Sequence, residues 1–189
     1  MGTCYNGGMK SAATKMTYAL YRLLPEDGKR YEAIDGELFM TPAPSPKHQR
    51  ILGELYSQLL AHVKGKALGE VLVSPIDVVF EEHTFVQPDI LFVSRQRQHI
   101  VAEEAIHGAP DLVIEILSPS SFYHDLRRKM GVYAQFGVQE YWIVDPEKQT
   151  IELYGRTGDK LQLARQFSSD DILESPLLSG FRLPVKSIF

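Results

Sequence analysis

An apolar stretch with a glutamate at its centre constrains this chain more than any other feature. Residues 111–119 have the sequence Asp-Leu-Val-Ile-Glu-Ile-Leu-Ser-Pro, with another proline directly before them. The length and the β-branched content predict a buried strand. Because side chains alternate along a strand, Leu112, Ile114 and Ile116 share one face, and Glu115 lies on the opposite face.

A carboxylate in the middle of a buried strand needs compensation. Removing a bare carboxylate from water is costly, so Glu115 must be protonated, paired with a cationic side chain or bound to a metal ion. A structural glutamate satisfied by an arginine or by backbone donors fits this pattern as well as a functional one does. The neighbouring motifs must decide between the two.

Length and composition indicate a single domain. The chain has 189 residues, of which 44% are hydrophobic and 23% charged, as is ordinary for a soluble globular protein. We expect residues 1–16 to be a disordered lead-in, with Met9 or Met16 as an alternative start, and residues 17–189 to form the domain. Cys4 is the single cysteine, which excludes an internal disulfide and predicts a cytoplasmic setting.

Charge and hydropathy exclude two classes of protein. The net charge is −4, which argues against a protein that coats nucleic acid by bulk electrostatics but is compatible with an enzyme that has a local basic rim. No apolar run approaches the roughly 20 residues needed to span a bilayer, so we predict no membrane association.

The order of predicted elements indicates an α/β (α+β) domain with one central mixed sheet flanked by helices. Asp35-Gly36 predicts a β-hairpin, and Ser45 predicts the cap of a helix with His48 in its first turn. Helices are predicted at residues 17–24, 46–63, 102–105 and 123–136, and strands at 30–34, 37–40, 70–74, 76–80, 85–93, 111–116, 140–145, 150–154 and 160–166.

Three residues in this order form a candidate catalytic set. Asp89 follows a proline at the opening of one predicted strand, and Glu115 lies inside the next buried strand. The helix after it carries Asp125, Lys129 and Tyr133 at positions i, i+4 and i+8, on one face. Because that helix returns across the sheet, Lys129 can reach the acidic strand ends.

Two carboxylates on neighbouring strands suit a hard divalent cation. We predict Asp89 and Glu115 as ligands of Mg²⁺ (or Mn²⁺), which activates water and stabilises charge on a phosphate. Lys129 then orients the water or neutralises developing charge. Glycoside hydrolysis also uses two carboxylates, but it needs an aromatic-lined cleft for which the sequence gives no specific sign.

Other polar residues allow two interpretations each. Glu37 is either a third acid near the metal or an exposed hairpin residue. His48 is a capping or hydrogen-bonded structural histidine, or it lies near Glu37. Asp125 either orients Lys129 or forms an ordinary surface pair with it. Tyr133 is a possible supporting residue of the site.

Together these motifs resemble the Uma-two (Uma2) family of endonuclease-like proteins. The resemblance covers roughly residues 17 to 189 and rests on the motif order rather than on any single motif. It is carried by Tyr31-Glu-Ala-Ile-Asp-Gly-Glu37, His48, Pro88-Asp89, Glu115-Ile-Leu-Ser-Pro-Ser, Lys129, Tyr133 and Gly137-Val-Gln-Glu-Tyr-Trp-Ile-Val-Asp-Pro146.

The resemblance implies a PD-(D/E)xK restriction-endonuclease-like fold and Mg²⁺-dependent cleavage of nucleic acid. It assigns Asp89 and Glu115 to the acidic positions of the motif. Leu117 stands where the superfamily places its lysine. The resemblance implies that the lysine has moved to the following helix, as Lys129.

The sequence therefore leads to two hypotheses. The first is a metal-dependent endonuclease that hydrolyses phosphodiester bonds, with DNA as the expected partner. The alternative is a catalytically inactive binding or assembly module that keeps the fold, motivated by the net acidity and the absent strand lysine. By analogy with restriction-like folds, we expect a homodimer.

Overall fold

The computed structural model describes residues 15–25, 27–118 and 123–189, without the side chains of residues 123–125. Residues 1–14 of the predicted lead-in lie outside these ranges. Met16 donates a backbone hydrogen bond to the carbonyl of Gly36 (2.9 Å). Within the described ranges, no helix is long and apolar enough to cross a membrane.

The described fold alternates short strands with three α-helices. The helices are α1 (Tyr18–Tyr21), α2 (Pro46–Gly65) and α3 (Tyr123–Phe136), with 3-10 helices at Arg95–Ile100 and Val185–Ile188. The strands are β1 (Arg30–Ile34), β2 (Glu37–Thr41), β3 (Gly69–Val73), β4 (Val78–Glu81), β5 (Thr84–Val86), β6 (Ile90–Ser94), β7 (Ile106–His107), β8 (Leu112–Ile116), β9 (Glu140–Asp145), β10 (Thr150–Thr157), β11 (Lys160–Phe167), β12 (Ile172–Glu174) and β13 (Arg182–Pro184).

These strands form two mixed sheets and a small ribbon. The central sheet has the order β11-β10-β9-β8-β6-β3, with β8 and β9 parallel. The flanking sheet has the order β2-β1-β5-β4-β7, with β4 and β7 parallel, and β12 pairs with β13. The mixed α/β class is confirmed. The expectation of one sheet is wrong, because the chain crosses between two.

The crossing lies inside the segment predicted as one strand over residues 85–93. That segment is two strands, β5 in the flanking sheet and β6 in the central sheet. Pro88 has no N–H for a sheet ladder, and Gln87 donates its backbone N–H to the side chain of Glu32 (2.8 Å) instead of to a strand. The chain therefore changes sheets over three residues, and Asp89 lies at the joint.

Both faces of the central sheet are covered. Leu112, Ile114 and Ile116 of β8 pack in one apolar cluster with α2 and the C-terminal segment. Val113 packs on the other face in a second cluster, with α3 and the flanking sheet. The predicted alternation is confirmed, and it places Glu115 on the α3 side.

Sequence signals at the ends of the two long helices are confirmed. The hydroxyl of Ser45 accepts a hydrogen bond from the backbone N–H of His48 (3.2 Å), which caps α2. Leu55 and Leu59 of the predicted apolar stripe are fully buried. Gly137 follows α3 with a φ of +97°, a conformation that favours glycine and ends the helix.

Two predicted helices differ from the structure. The helix expected over residues 17–24 is only the four-residue α1, because its next turn has no apolar partner: Leu23 is 80% exposed. The helix expected at residues 102–105 is absent, and the 3-10 helix Arg95–Ile100 precedes that segment instead. Such short segments form stable helices only where packing stabilises them.

Candidate catalytic site

Asp89 is held at the start of β6 by donors from two other elements. Its side chain is buried, and its Oδ2 accepts a hydrogen bond from the backbone N–H of Ile116 in β8 (2.8 Å). His48 Nε2 of α2 lies 3.1 Å from the same oxygen. Asp89 is therefore fixed by the pairing of β6 with β8 and by the first turn of α2.

The structure places His48 against Asp89. The imidazole is buried, and its Nδ1 has no hydrogen-bond partner among the described residues. Of the two sequence interpretations, the hydrogen-bonded histidine agrees with this geometry, with Asp89 as its partner. The expected proximity to Glu37 is not seen, because Glu37 pairs with Arg128 instead.

Glu115 faces α3, and two side chains of that helix reach its Oε1. Tyr133 Oη donates a hydrogen bond of 2.6 Å, and Lys129 Nζ donates one of 3.2 Å. Tyr133 and Lys129 are one helical turn apart, so they lie on the same face of α3. The predicted face of this helix is thus the one that meets Glu115.

Burial determines the protonation states of Glu115 and Tyr133. Burial raises the pKa of Glu115 to about 7, an effect that Lys129 opposes and that the charges of Asp89 and Glu32 reinforce. Burial, reinforced by the charge of Glu115, also raises the pKa of Tyr133 well above its ordinary value. Tyr133 therefore stays a protonated donor, while Glu115 can exchange a proton near neutral pH.

Lys129 joins Glu115 to a third acid that sequence reasoning missed. Its Nζ lies 2.7 Å from Glu32 Oε1, closer than the 3.2 Å to Glu115 Oε1, and all three side chains are buried. Glu32 lies in β1 of the flanking sheet. The Lys129 ammonium therefore connects α3 with both sheets.

The signal for Glu32 was present in the sequence. Glu32 is followed by Ala33 and Ile34 in a short strand, and both of these are buried. A carboxylate beside buried apolar residues is the same sign that singled out Glu115. Attention to the hairpin turn led instead to Glu37, which is two-thirds exposed and bound to Arg128 Nη1 (2.9 Å).

Glu37 and Asp111 do not contact the acids of the site. Glu37 is the exposed hairpin residue of its two interpretations. The side chain of Asp125 lies outside the described residues. Asp111, which shares a face with Glu115, is a structural strand-end carboxylate that accepts hydrogen bonds from the Ser94 backbone (2.7 Å) and from Arg97 (3.2 Å).

The acids line one cavity of about 380 Å³. Asp89, Glu115, Glu32 and Lys129 contribute to its wall, together with His48. Apolar, basic and neutral polar residues complete the lining, namely Phe39, Met40, Pro42, Pro44, Ile116, Leu126, Arg30, Arg128, Thr41, Gln87 and Ser118. The site is thus assembled from both sheets and from α2 and α3.

The donor set fits a hydrated hard cation. Asp89 and Glu115 present carboxylate oxygens to the same cavity. Among the described residues, no group of three or more His, Cys, Asp or Glu side chains is placed to hold a metal ion. Mg²⁺ commonly binds through one or two carboxylates and keeps several waters. Two carboxylates, together with water and substrate oxygens, therefore supply enough ligands for such an ion.

Comparisons with known proteins agree with this architecture. Residues 18–186 match the model of the Uma2 family, described as "Putative restriction endonuclease". A crystal structure of a "putative nuclease belonging to DUF820" from Anabaena variabilis superposes with a TM-score of 0.78 and 27% identity, over 92% of this chain and 97% of that one. An uncharacterized protein of Synechocystis sp., slr1290, is 25% identical over 150 residues, which is 77% of this chain and 76% of that protein.

Proposed function

Because the chain belongs to the Uma2 family, we propose that it is a metal-dependent endonuclease that hydrolyses phosphodiester bonds in nucleic acid, with DNA as the expected substrate. The observation that carries this proposal is the convergence of Asp89, Glu115 and Lys129 on one cavity, although they come from the segment before β6, from β8 and from α3. An acid–acid–lysine set is the minimal equipment for this reaction.

Asp89 and Glu115 are the proposed ligands of Mg²⁺ or Mn²⁺. When bound, the ion would lower the pKa of water and stabilise negative charge on the phosphate. His48 and the Ile116 amide hold one oxygen of Asp89, so they fix its orientation. Tyr133 does the same for Glu115, with its 2.6 Å hydrogen bond. Such outer contacts keep ligands in a productive geometry.

Lys129 has the proposed role of the superfamily lysine. Its ammonium is buried at the cavity wall, between Glu32 and Glu115. From this position it can orient an attacking water or offset charge on the phosphorane. Glu32 is a positioning residue in this scheme, because its 2.7 Å contact holds the ammonium at the edge of the site rather than in solvent.

The test is cleavage by purified protein. Labelled single- and double-stranded DNA and RNA are incubated with Mg²⁺ or Mn²⁺, and with a chelator as the blank. Glu115→Gln should reduce the rate by about 10²–10³-fold. Glu140→Gln, which changes an equally buried glutamate outside the cavity, should retain the rate per folded molecule. Absence of cleavage by wild type, or equal rates for wild type and Glu115→Gln, would refute the proposal.

A second candidate is a binding or assembly module that has lost hydrolysis. The observation that favours it is the compensation of the acids by Lys129, which already lies 2.7 Å from Glu32 and 3.2 Å from Glu115. Calorimetric titration with Mn²⁺ separates the candidates. Binding that disappears in Asp89→Asn supports the nuclease, whereas a wild type without Mn²⁺ binding supports the inert module.

A further inference from the structure

The catalytic groups lie at the bottom of a recess. Asp89 is 6% exposed, Glu115 is 7% exposed and Lys129 is 5% exposed. A phosphodiester reaches these side chains only by entering the cavity that they line. The shape of the cavity therefore limits which forms of nucleic acid can react.

The cavity has room for one small molecule. Its volume of about 380 Å³ is near the lower end of the roughly 300–1,000 Å³ of pockets that enclose small ligands. In a duplex each base is paired and stacked, so a nucleotide enters such a recess only after it is unpaired and turned out of the helix. A single unstacked nucleotide can turn into it, at the cost of its stacking energy.

One wall of the cavity offers apolar surface to a base. Phe39 of β2 lines it, and Pro42 and Pro44 follow in the same segment. Phe39 pairs with Glu32 across β1 and β2, so its ring lies on the face of the flanking sheet that carries Glu32, with the guanidinium of Arg128 4.5 Å from the ring centre. Sites for single-stranded nucleic acid bind the faces of unstacked bases on such surfaces, without regard to sequence.

The cationic residues of the cavity are few. Among the described residues that line it, Arg30, Arg128 and Lys129 are basic. Arg128 already pairs with Glu37 (2.9 Å), and Lys129 with Glu32 (2.7 Å). Proteins that bind duplexes through phosphate contacts engage many phosphates, and this site provides for one or two.

From these observations we infer that the site takes an unpaired nucleotide, in a single strand or a bulge, with its base against the β2 wall and its phosphate toward Asp89 and Glu115. This inference rests on the proposed nuclease function and names its substrate class. The energy of recognition then comes from the base as well as from the phosphate. Paired nucleotides of an intact duplex are excluded from the cavity.

The experiment compares three fluorescent DNA probes of one sequence: a single strand, its blunt duplex, and the duplex with one bulged 2-aminopurine. Fluorescence anisotropy in Ca²⁺ measures binding, and gel analysis in Mg²⁺ or Mn²⁺ measures cleavage. We expect the single strand to bind at least tenfold more tightly than the duplex. Its affinity should depend on salt with a logarithmic slope of about −1.4, from two phosphates at about −0.7 each.

Two variants test the apolar wall. Phe39→Leu should weaken single-strand binding about fivefold, because it removes the aromatic face that contacts the base and keeps an apolar side chain. Leu38→Ala is the matched control: it changes an exposed apolar side chain of the same strand that does not line the cavity, and should leave binding unchanged. The 2-aminopurine of the bulged probe should change its fluorescence on binding to wild type and less so with Phe39→Leu.

The outcomes separate this inference from the proposed function. If the duplex binds or is cleaved as well as the single strand, or if no probe binds, the inference is wrong. If no probe is cleaved but the single-strand preference depends on Phe39, the nuclease proposal fails and the nucleotide site stands. If cleavage is confined to the single strand and the bulge, both are supported.

Discussion

Two buried glutamates lie on the neighbouring parallel strands β8 and β9, and their surroundings differ in kind. Glu140 is 2% exposed, and its three donors are the Trp142 indole (2.8 Å), the Ser175 hydroxyl (2.7 Å) and the Leu177 amide (3.1 Å). All three are neutral, and they bind both carboxylate oxygens. This arrangement attaches the segment before β13 to the central sheet.

Glu115 is buried to nearly the same degree, but its environment is charged and open. It lines a cavity and lies beside Lys129, Asp89 and Glu32. Burial raises the pKa of both glutamates, and at Glu140 three hydrogen bonds from neutral donors oppose that rise. Burial alone therefore does not identify a functional carboxylate. The kind of partner and the access to a cavity do.

The largest expected effect is the loss of Lys129, the cation that contacts both Glu32 and Glu115. Lys129→Met should destabilise the protein by roughly 3–5 kcal/mol, because it leaves Glu32 and Glu115 without their shared partner. Urea unfolding at neutral pH measures the change. Adding Glu32→Gln to this variant should restore part of the stability. A loss below about 1 kcal/mol for Lys129→Met would show that the charges are not coupled.

The next prediction concerns how the free energy of unfolding depends on pH, to which Glu115 contributes. The unfolded Glu115 titrates near 4.5 and the folded one near 7, so the native state binds more protons between these values. The contribution of Glu115 to stability is therefore greatest below pH 4.5 and declines through pH 7, by on the order of 3 kcal/mol in total.

Unfolding in urea with a chelator, at a series of pH values, measures this slope. Glu115→Gln should remove most of it, because the amide does not titrate over this range. Glu140→Gln is the matched variant: burial also raises the pKa of Glu140, so this variant should lose the contribution of Glu140 and keep that of Glu115. A slope that persists unchanged in Glu115→Gln would assign the effect to another group.

A smaller effect is expected at the neutral site. Trp142 and Ser175 both donate to Oε1 of Glu140, and the Leu177 amide donates to Oε2. A glutamine keeps one accepting oxygen, so Glu140→Gln leaves a donor unmatched and should cost about 1–3 kcal/mol. The stabilisation of this variant by Mn²⁺, measured as the rise in Tm, should match that of wild type.

The smallest effect concerns single neutral hydrogen bonds at the two glutamates. Tyr133→Phe and Ser175→Ala each remove one hydroxyl donor, and each should cost about 1 kcal/mol in stability. Only Tyr133→Phe should also raise the pKa of Glu115, which NMR titration of a side-chain-labelled sample detects. Equal titration of Glu115 in both variants would contradict the distinction between the two regions.

Much of the site was predictable because its elements have strong local signals. The position of Glu115 follows from strand alternation, and the spacing of Lys129 and Tyr133 follows from helix periodicity. The order of the predicted strands and the family resemblance grouped Asp89 with them. The structure places Asp89, Glu115 and Lys129 at one cavity and Tyr133 in contact with Glu115. These are predictions about neighbours within one element or between adjacent strands.

The rest depended on which distant elements meet. A single sequence can mark a buried carboxylate such as Glu32, but it holds no local signal for its partner. Glu32 meets Lys129 across 97 positions of the chain, and His48 meets Asp89 across 41. Division of the strands between two sheets is also non-local, and one proline in residues 85–93 was the only hint of it. Glu37 became a candidate because a turn is easy to recognise in a sequence, whereas a buried partner is not.

Residues 87–89, where the chain passes from the flanking sheet to the central sheet, limit which segments of this protein can be exchanged. The amide of Gln87 holds Glu32 of one sheet, and the carboxylate of Asp89 holds Ile116 of the other. A fragment that contained only one sheet would carry an incomplete set of acids and an unsatisfied partner. The two sheets must therefore be exchanged together. Recombination between related chains should preserve the site only when both sheets come from the same parent.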